Sequence, residues 1–117
     1  MGKIYTNENR ILINEMIDIY KPDGFDWMSY PITKKNILTF HHILEIMNGG
    51  ETKIENGALI TKSAHRILNM LTSRDLMLYD EWQQLFKYIN ECRIPLDDYA
   101  KGYSRELKKH TQKVIYK

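Results

Sequence analysis

Apolar positions recur along this chain at two different periods. Between residues 7 and 20, Ile11, Leu12, Ile13, Met16, Ile17, Ile19 and Tyr20 suit a helix, with Leu12, Met16 and Ile19 toward a core and Thr6 placed to cap its start. Residues 21–36, KPDGFDWMSYPITKKN, break that pattern with Pro22, Gly24 and Pro31 and read as an irregular connection. Its Phe25, Trp27 and Tyr30 are expected to pin it to the body. Ile37–Leu38–Thr39–Phe40 is short and partly β-branched, a strand running into His41 and His42. Gly49–Gly50 marks a turn, and Gly57–Ala58–Leu59–Ile60 reads as a second short strand.

Helical spacing then returns. Thr61 or Ser63 can cap a helix beginning near residue 63, with Ile67, Leu68 and Leu71 on its buried side. Residues 76–92 carry Leu78, Trp82, Leu85, Phe86 and Ile89 on one face, which puts Trp82 in the core. Pro95 ends that helix, and Asp97 or Asp98 can open a last one reaching about Lys109. No internal repeat or low-complexity stretch interrupts the series.

Composition narrows the class. A chain of 117 residues with 43% hydrophobic and 27% charged residues suits one domain and argues against wholesale disorder. No apolar run approaches the ~20 residues that cross a bilayer. The opening MGKIYTNENR lacks the layout of a secretory signal. Gly2 with Thr6 matches the short myristoylation pattern, which we discount without a second membrane signal. The expectation is a cytoplasmic protein without a membrane partner. One cysteine, Cys92, can form no internal disulfide, and it reads as a partly buried helical thiol.

Charge is unevenly placed. Residues 101–117 hold Lys101, Arg105, Lys108, Lys109, Lys113 and Lys117 against Glu106, a net +5, which leaves −3 for residues 1–100 of a chain carrying +2. Such a basic segment can guide a polyanion through counterion release, or it can be the solvated face of a terminal helix. Tyr103 and Tyr116 within it could stack on bases or anchor the segment.

Three of the four histidines lie between residues 41 and 65. Adjacent strand residues point to opposite faces, so His41 and His42 need different tasks. His65 and Asn69 stand four apart on the next helix and share a face. A strand, a loop, a second strand and a helix can gather such groups around one divalent ion. Metal-assisted phosphodiester hydrolysis needs that division of labour: donors for the ion, and a neutral imidazole, of unperturbed pKa ~6.5, to take a proton from water.

The stretch LTFHHILEIMNGGETKIENGALITKSAHRILN, residues 38–69, resembles the HNH motif of the ββα-metal (His-Me finger) endonucleases. The likeness lies in the His-His pair followed by Ile, the Gly-Gly turn, Asn56–Gly57 fourteen residues after His42, and His65 nine residues after Asn56. It covers about a quarter of the chain. It implies an α+β fold: a small ββα-metal finger, two short antiparallel strands plus a helix, packed among additional α-helices. The implied layout is a single HNH-like domain over 1–117, with the ββα core at about 37–73, helical support at 7–20 and 76–92, and the basic segment at 101–117.

The resemblance further implies that His42 is the general base and that His41 and His65 ligate the metal. Asn69 occupies the place of an additional ligand, where many relatives have histidine. Asn56 would shape the inter-strand loop and fix the orientation of His42, without acting chemically itself. The implied cofactor is Mg²⁺, with Mn²⁺, Ni²⁺ or Zn²⁺ as substitutes. The implied activity is nicking or double-strand cutting of DNA, or of RNA, to 5′-phosphate and 3′-hydroxyl ends. Lys62, Arg66 and Arg74 on or beside the helix, and Lys108 and Lys109 in the basic segment, are candidates for phosphate contacts, with ordinary surface charge as the alternative. Glu45 reads as a solvated acid. The zinc knuckle of many relatives is absent, so apolar packing must hold the finger. Targeting is expected from a protein partner, DNA shape or the basic segment, and paired cuts would suit a homodimer. Two other readings stand beside the nuclease: a phage-type regulator or inhibitor that uses an HNH scaffold to bind a nucleic acid or another nuclease without turnover, and a helical domain whose histidines hold a structural metal.

Overall fold

The structure is a computed structural model and describes residues 9–116. The described residues form an α+β fold of four α-helices and one two-stranded antiparallel sheet. Helix α1 spans Arg10–Tyr20, strand β1 Leu38–His42 and strand β2 Gly57–Thr61. Helices α2, Lys62–Arg74, α3, Leu76–Cys92, and α4, Asp98–Ile115, follow. The expected ββα order is therefore present. Thr6 and the Gly2 pattern lie outside the described residues.

The strands pair with His41 opposite Ala58 and His42 opposite Gly57. Two short strands cannot stand alone in water, so the hairpin depends on packing against helices. Leu38, Phe40, Leu59 and Ile60 are buried, as are Trp82, Phe86, Leu68 and Leu71 from the helices. Trp82 donates its indole N–H to Thr111 Oγ1 at 2.8 Å and so ties α3 to α4 inside the core.

Helix starts follow elementary capping. Thr61 Oγ1 accepts from Ala64 N, Asp75 from Leu78 N and Asp97 from Ala100 N. Asp75 is at once the last cap of α2 and the first of α3, so no linker separates those helices.

Four expectations need correction. The buried face of α1 is Ile13, Met16 and Tyr20, with Leu12 and Ile19 only partly covered. Its near-continuous apolar run fits several faces, and contacts elsewhere choose one: the Tyr20 hydroxyl donates to Asn90 O at 2.6 Å. Second, α4 continues past the expected end near Lys109 to Ile115, and the basic segment is packed structure in which Ser104, Leu107 and Thr111 are buried. Third, Phe25 does not pin its loop; it is 58% exposed, whereas Trp27 and Tyr30 are buried. Fourth, Ile37 precedes β1 rather than belonging to it, and β2 runs one residue beyond its apolar run, to Thr61, while β1 ends on the His41–His42 pair as expected.

The 21–36 connection is fastened chiefly by Asp26. Its carboxylate is buried and accepts from Met28 N, Tyr30 N and, across the chain, Thr61 N. Burial pushes the Asp26 pKa up, against the pull of those three N–H donors. Trp27 N also donates to Leu59 O, which adds a rung on the edge of β2 away from β1. Among the described residues, no helix is long and apolar enough to cross a membrane.

Candidate functional site

Strand alternation sorts the β1 side chains. Thr39 and His41 face α2 and α3, while Phe40 and His42 face the other way, their rings edge to face at 4.9 Å. Gly57 lies opposite His42. A Cβ there would collide with the Phe40 ring and press on Met16 of α1, so any side chain at this rung must displace that ring.

On the first face His41 and His65 meet. Their ring centroids are 5.3 Å apart and their planes nearly perpendicular, at 88°. Thr39 Oγ1 donates to Ile60 O at 2.7 Å, so its only proton is committed and it must accept from His65 Nδ1 at 2.9 Å. His65 is then the Nδ1–H tautomer, and its Nε2 keeps a lone pair. His41 Nε2 stands 2.7 Å from Gln83 Oε1, while the Gln83 amide nitrogen donates to Ile43 O. Gln83 therefore accepts, His41 donates from Nε2, and its Nδ1 keeps the lone pair. Each imidazole has one nitrogen held and one left as a donor, the arrangement that outer partners impose on metal-binding histidines.

That separation also fits a shared ion: two imidazoles on one metal, with bonds of ~2.1 Å, put their centroids about 4.5–5.3 Å apart. The third donor is less complete. Asn69 is exposed on α2, one turn beyond His65. Among the described residues no cluster of three or more His, Cys, Asp or Glu side chains is arranged to hold a metal ion.

Burial keeps all three imidazoles neutral. It lowers the His41 pKa to about 4, with His65 and His42 adding repulsion and the Gln83 hydrogen bond opposing. Burial likewise lowers His65, helped by His42, and lowers the partly covered His42. Neutral imidazole is the form that binds metals and removes protons.

His42 Nε2 lies 2.9 Å from the Thr52 hydroxyl, which comes from the loop between the strands. Asn56 builds that loop. Its side-chain oxygen accepts from Leu44 N at 2.7 Å, and its amide nitrogen donates to Leu44 O and Glu51 O. Asn56 O also accepts from Ile43 N, the residue after His42. Gly50 lets the loop close, since a Cβ there would run into the Leu44 carbonyl. The side chain acts as a clamp on the backbone that follows His42.

The remaining candidates divide. Lys62 and Arg66 are exposed on α2 on either side of His65. Arg74 sits at the far end of α2, its guanidinium donating to Ile115 O of α4. Lys108 is partly buried, bound to Ser29 O at 2.8 Å and set over the Tyr30 ring at 4.4 Å. Lys109 pairs with Glu106 on the open surface. Glu45 is exposed and caps a short 3₁₀ turn, Ile46–Asn48. The clefts flanking the inter-strand loop carry Glu51, Glu55, Asp80 and Glu91 against Lys53 and Lys87.

Sequence reasoning missed Thr39, Gln83 and Thr52, the residues that hold the three rings. Thr39 had a usable signal, because strand alternation sets it on the His41 face. Gln83 had none, since its partner lies 42 residues away. Comparison with known proteins returns no matching family model, no matching curated protein and no matching solved structure.

Proposed function

We propose that the chain is a metal-dependent HNH-type endonuclease that hydrolyses DNA phosphodiester bonds. In this reading His42 is the general base, and His41 and His65 hold a divalent ion. The observation that carries it is the His41–His65 pair: two neutral rings 5.3 Å apart, each with one nitrogen fixed by a partner and the other free to donate. The held tautomers leave His41 Nδ1 and His65 Nε2 as the nitrogens that could ligate one ion between the rings. A bound Mg²⁺ would supply stabilisation of charge on the phosphoryl and leaving oxygens.

The chain's own residues do the rest. His42, neutral at pH 7, takes the proton from the attacking water, and the Thr52 hydroxyl orients its ring. Asn56 keeps the strand end from shifting beneath that ring. Lys62 and Arg66 hold phosphates flanking the scissile bond.

A supercoiled-plasmid assay with Mg²⁺ or Mn²⁺ tests the reading. Wild-type protein is expected to nick the plasmid, and His42→Ala to lose activity by about 10²–10⁴-fold with its circular dichroism unchanged. Undiminished cutting by His42→Ala removes the proposed base. One observation favours a second reading, the HNH-scaffold binding protein: the acidic character of the clefts that flank the inter-strand loop. Absence of cleavage with every metal, together with stoichiometric capture of one protein partner, would select it.

A further inference from the structure

A second recess lies between the 20–29 segment and α4 and shares no lining residue with the histidine site. Its volume is about 560 Å³, within the range of small-ligand sites. Lys101, Arg105 and Lys108 line it from α4 at four- and three-residue steps, so they form one stripe along the helix. Lys109, paired with Glu106, also borders the recess, and Lys21 lines it from the end of α1. The acids in the lining are Asp23 and Asp26, and Asp26 is already engaged by three backbone N–H groups. The recess is strongly cationic on a chain whose net charge is only +2.

Its apolar parts are equally specific. Phe25 is 58% exposed in a loop whose neighbours Asp26, Trp27 and Met28 are buried. Pro22, Pro95 and Leu96 extend this apolar surface. Hydrogen bonds tie the walls together without a ligand: Ser104 Oγ donates to Trp27 O, Ser29 Oγ bonds Ser104 Oγ, and Lys108 bonds Ser29 O. A site tied together beforehand loses less entropy on binding.

We infer that this recess binds a nucleoside phosphate, free or as a unit of a single strand, with the base against Phe25 and the phosphate on Arg105 and Lys101. A base presents the flat face that Phe25 can stack on, and guanidinium with ammonium groups suits a phosphate. An acidic peptide would use the cations but leave the exposed ring without a partner. The inference does not rest on the nuclease reading.

Binding is measured in EDTA with the full chain, by anisotropy of a labelled oligothymidylate of about a dozen nucleotides and by calorimetry with a nucleoside monophosphate. Arg105→Glu should weaken binding at least tenfold, and Phe25→Ala about five- to hundredfold. Lys34→Glu, the same kind of charge reversal outside the recess, should change it less than twofold. Binding of both probes assigns a mononucleotide site, and binding of the oligomer alone assigns a strand site. No binding of either probe overturns the inference. So do equal losses in Arg105→Glu and Lys34→Glu, or polyglutamate competing as well as the oligonucleotide. Since no cleavage is read, failure here leaves the histidine reading standing, and an inactive histidine site leaves this one standing.

Discussion

His41 is the residue on which chemistry and stability meet. Its folded pKa, about 4, lies below the unfolded value near 6.5, so in acid the unfolded chain binds the extra proton first. The stabilisation is complete above pH 6.5 and fades as the pH falls toward 4. It amounts to about 3 kcal/mol for a shift of this size. Urea titrations of metal-free protein should therefore show stability falling across that window, and His41→Gln should flatten the fall. Gln83 allows a second measurement. Gln83→Leu removes the acceptor that fixes the His41 tautomer, and under the proposed function Mn²⁺ affinity should drop about 10–100-fold by calorimetry. Unaltered affinity would mean that Gln83 serves packing alone.

At the scale of elements, the hairpin depends on one missing side chain. Gly57→Val should destabilise the fold by about 1–3 kcal/mol through overpacking against Phe40, read as a lowered thermal midpoint. Much of this layer is legible in the sequence, because period and capping are local properties. Thr61, Asp97 and the apolar stripe of α3 announce themselves within a few residues. The extent of α4 is harder to read, since its buried stripe contains Ala100, Ser104 and Thr111 with only one large apolar residue, Leu107. The face of α1 is ambiguous for the opposite reason, an excess of apolar choices. The histidines are visible through their spacing, while Gln83 and Asp26 act through partners 42 and 35 residues away that no local pattern encodes.

For the whole molecule, Asp26 joins the irregular connection to the junction of β2 and α2. Asp26→Ala strands three backbone N–H groups at once and should cost about 3 kcal/mol or more in chemical denaturation. It should also loosen one wall of the cationic recess, so nucleotide binding in EDTA should weaken while the circular dichroism of the helices changes little. Charge is segregated on the same scale: cations gather along α4, and acids ring the clefts by the inter-strand loop. The two faces would meet different partners at different ionic strengths.

His65 and Gln83 stand on helices that share Asp75 as their common cap. With one residue between them and their flanks packed together, the two helices set His65 and Gln83 along a single wall behind the hairpin.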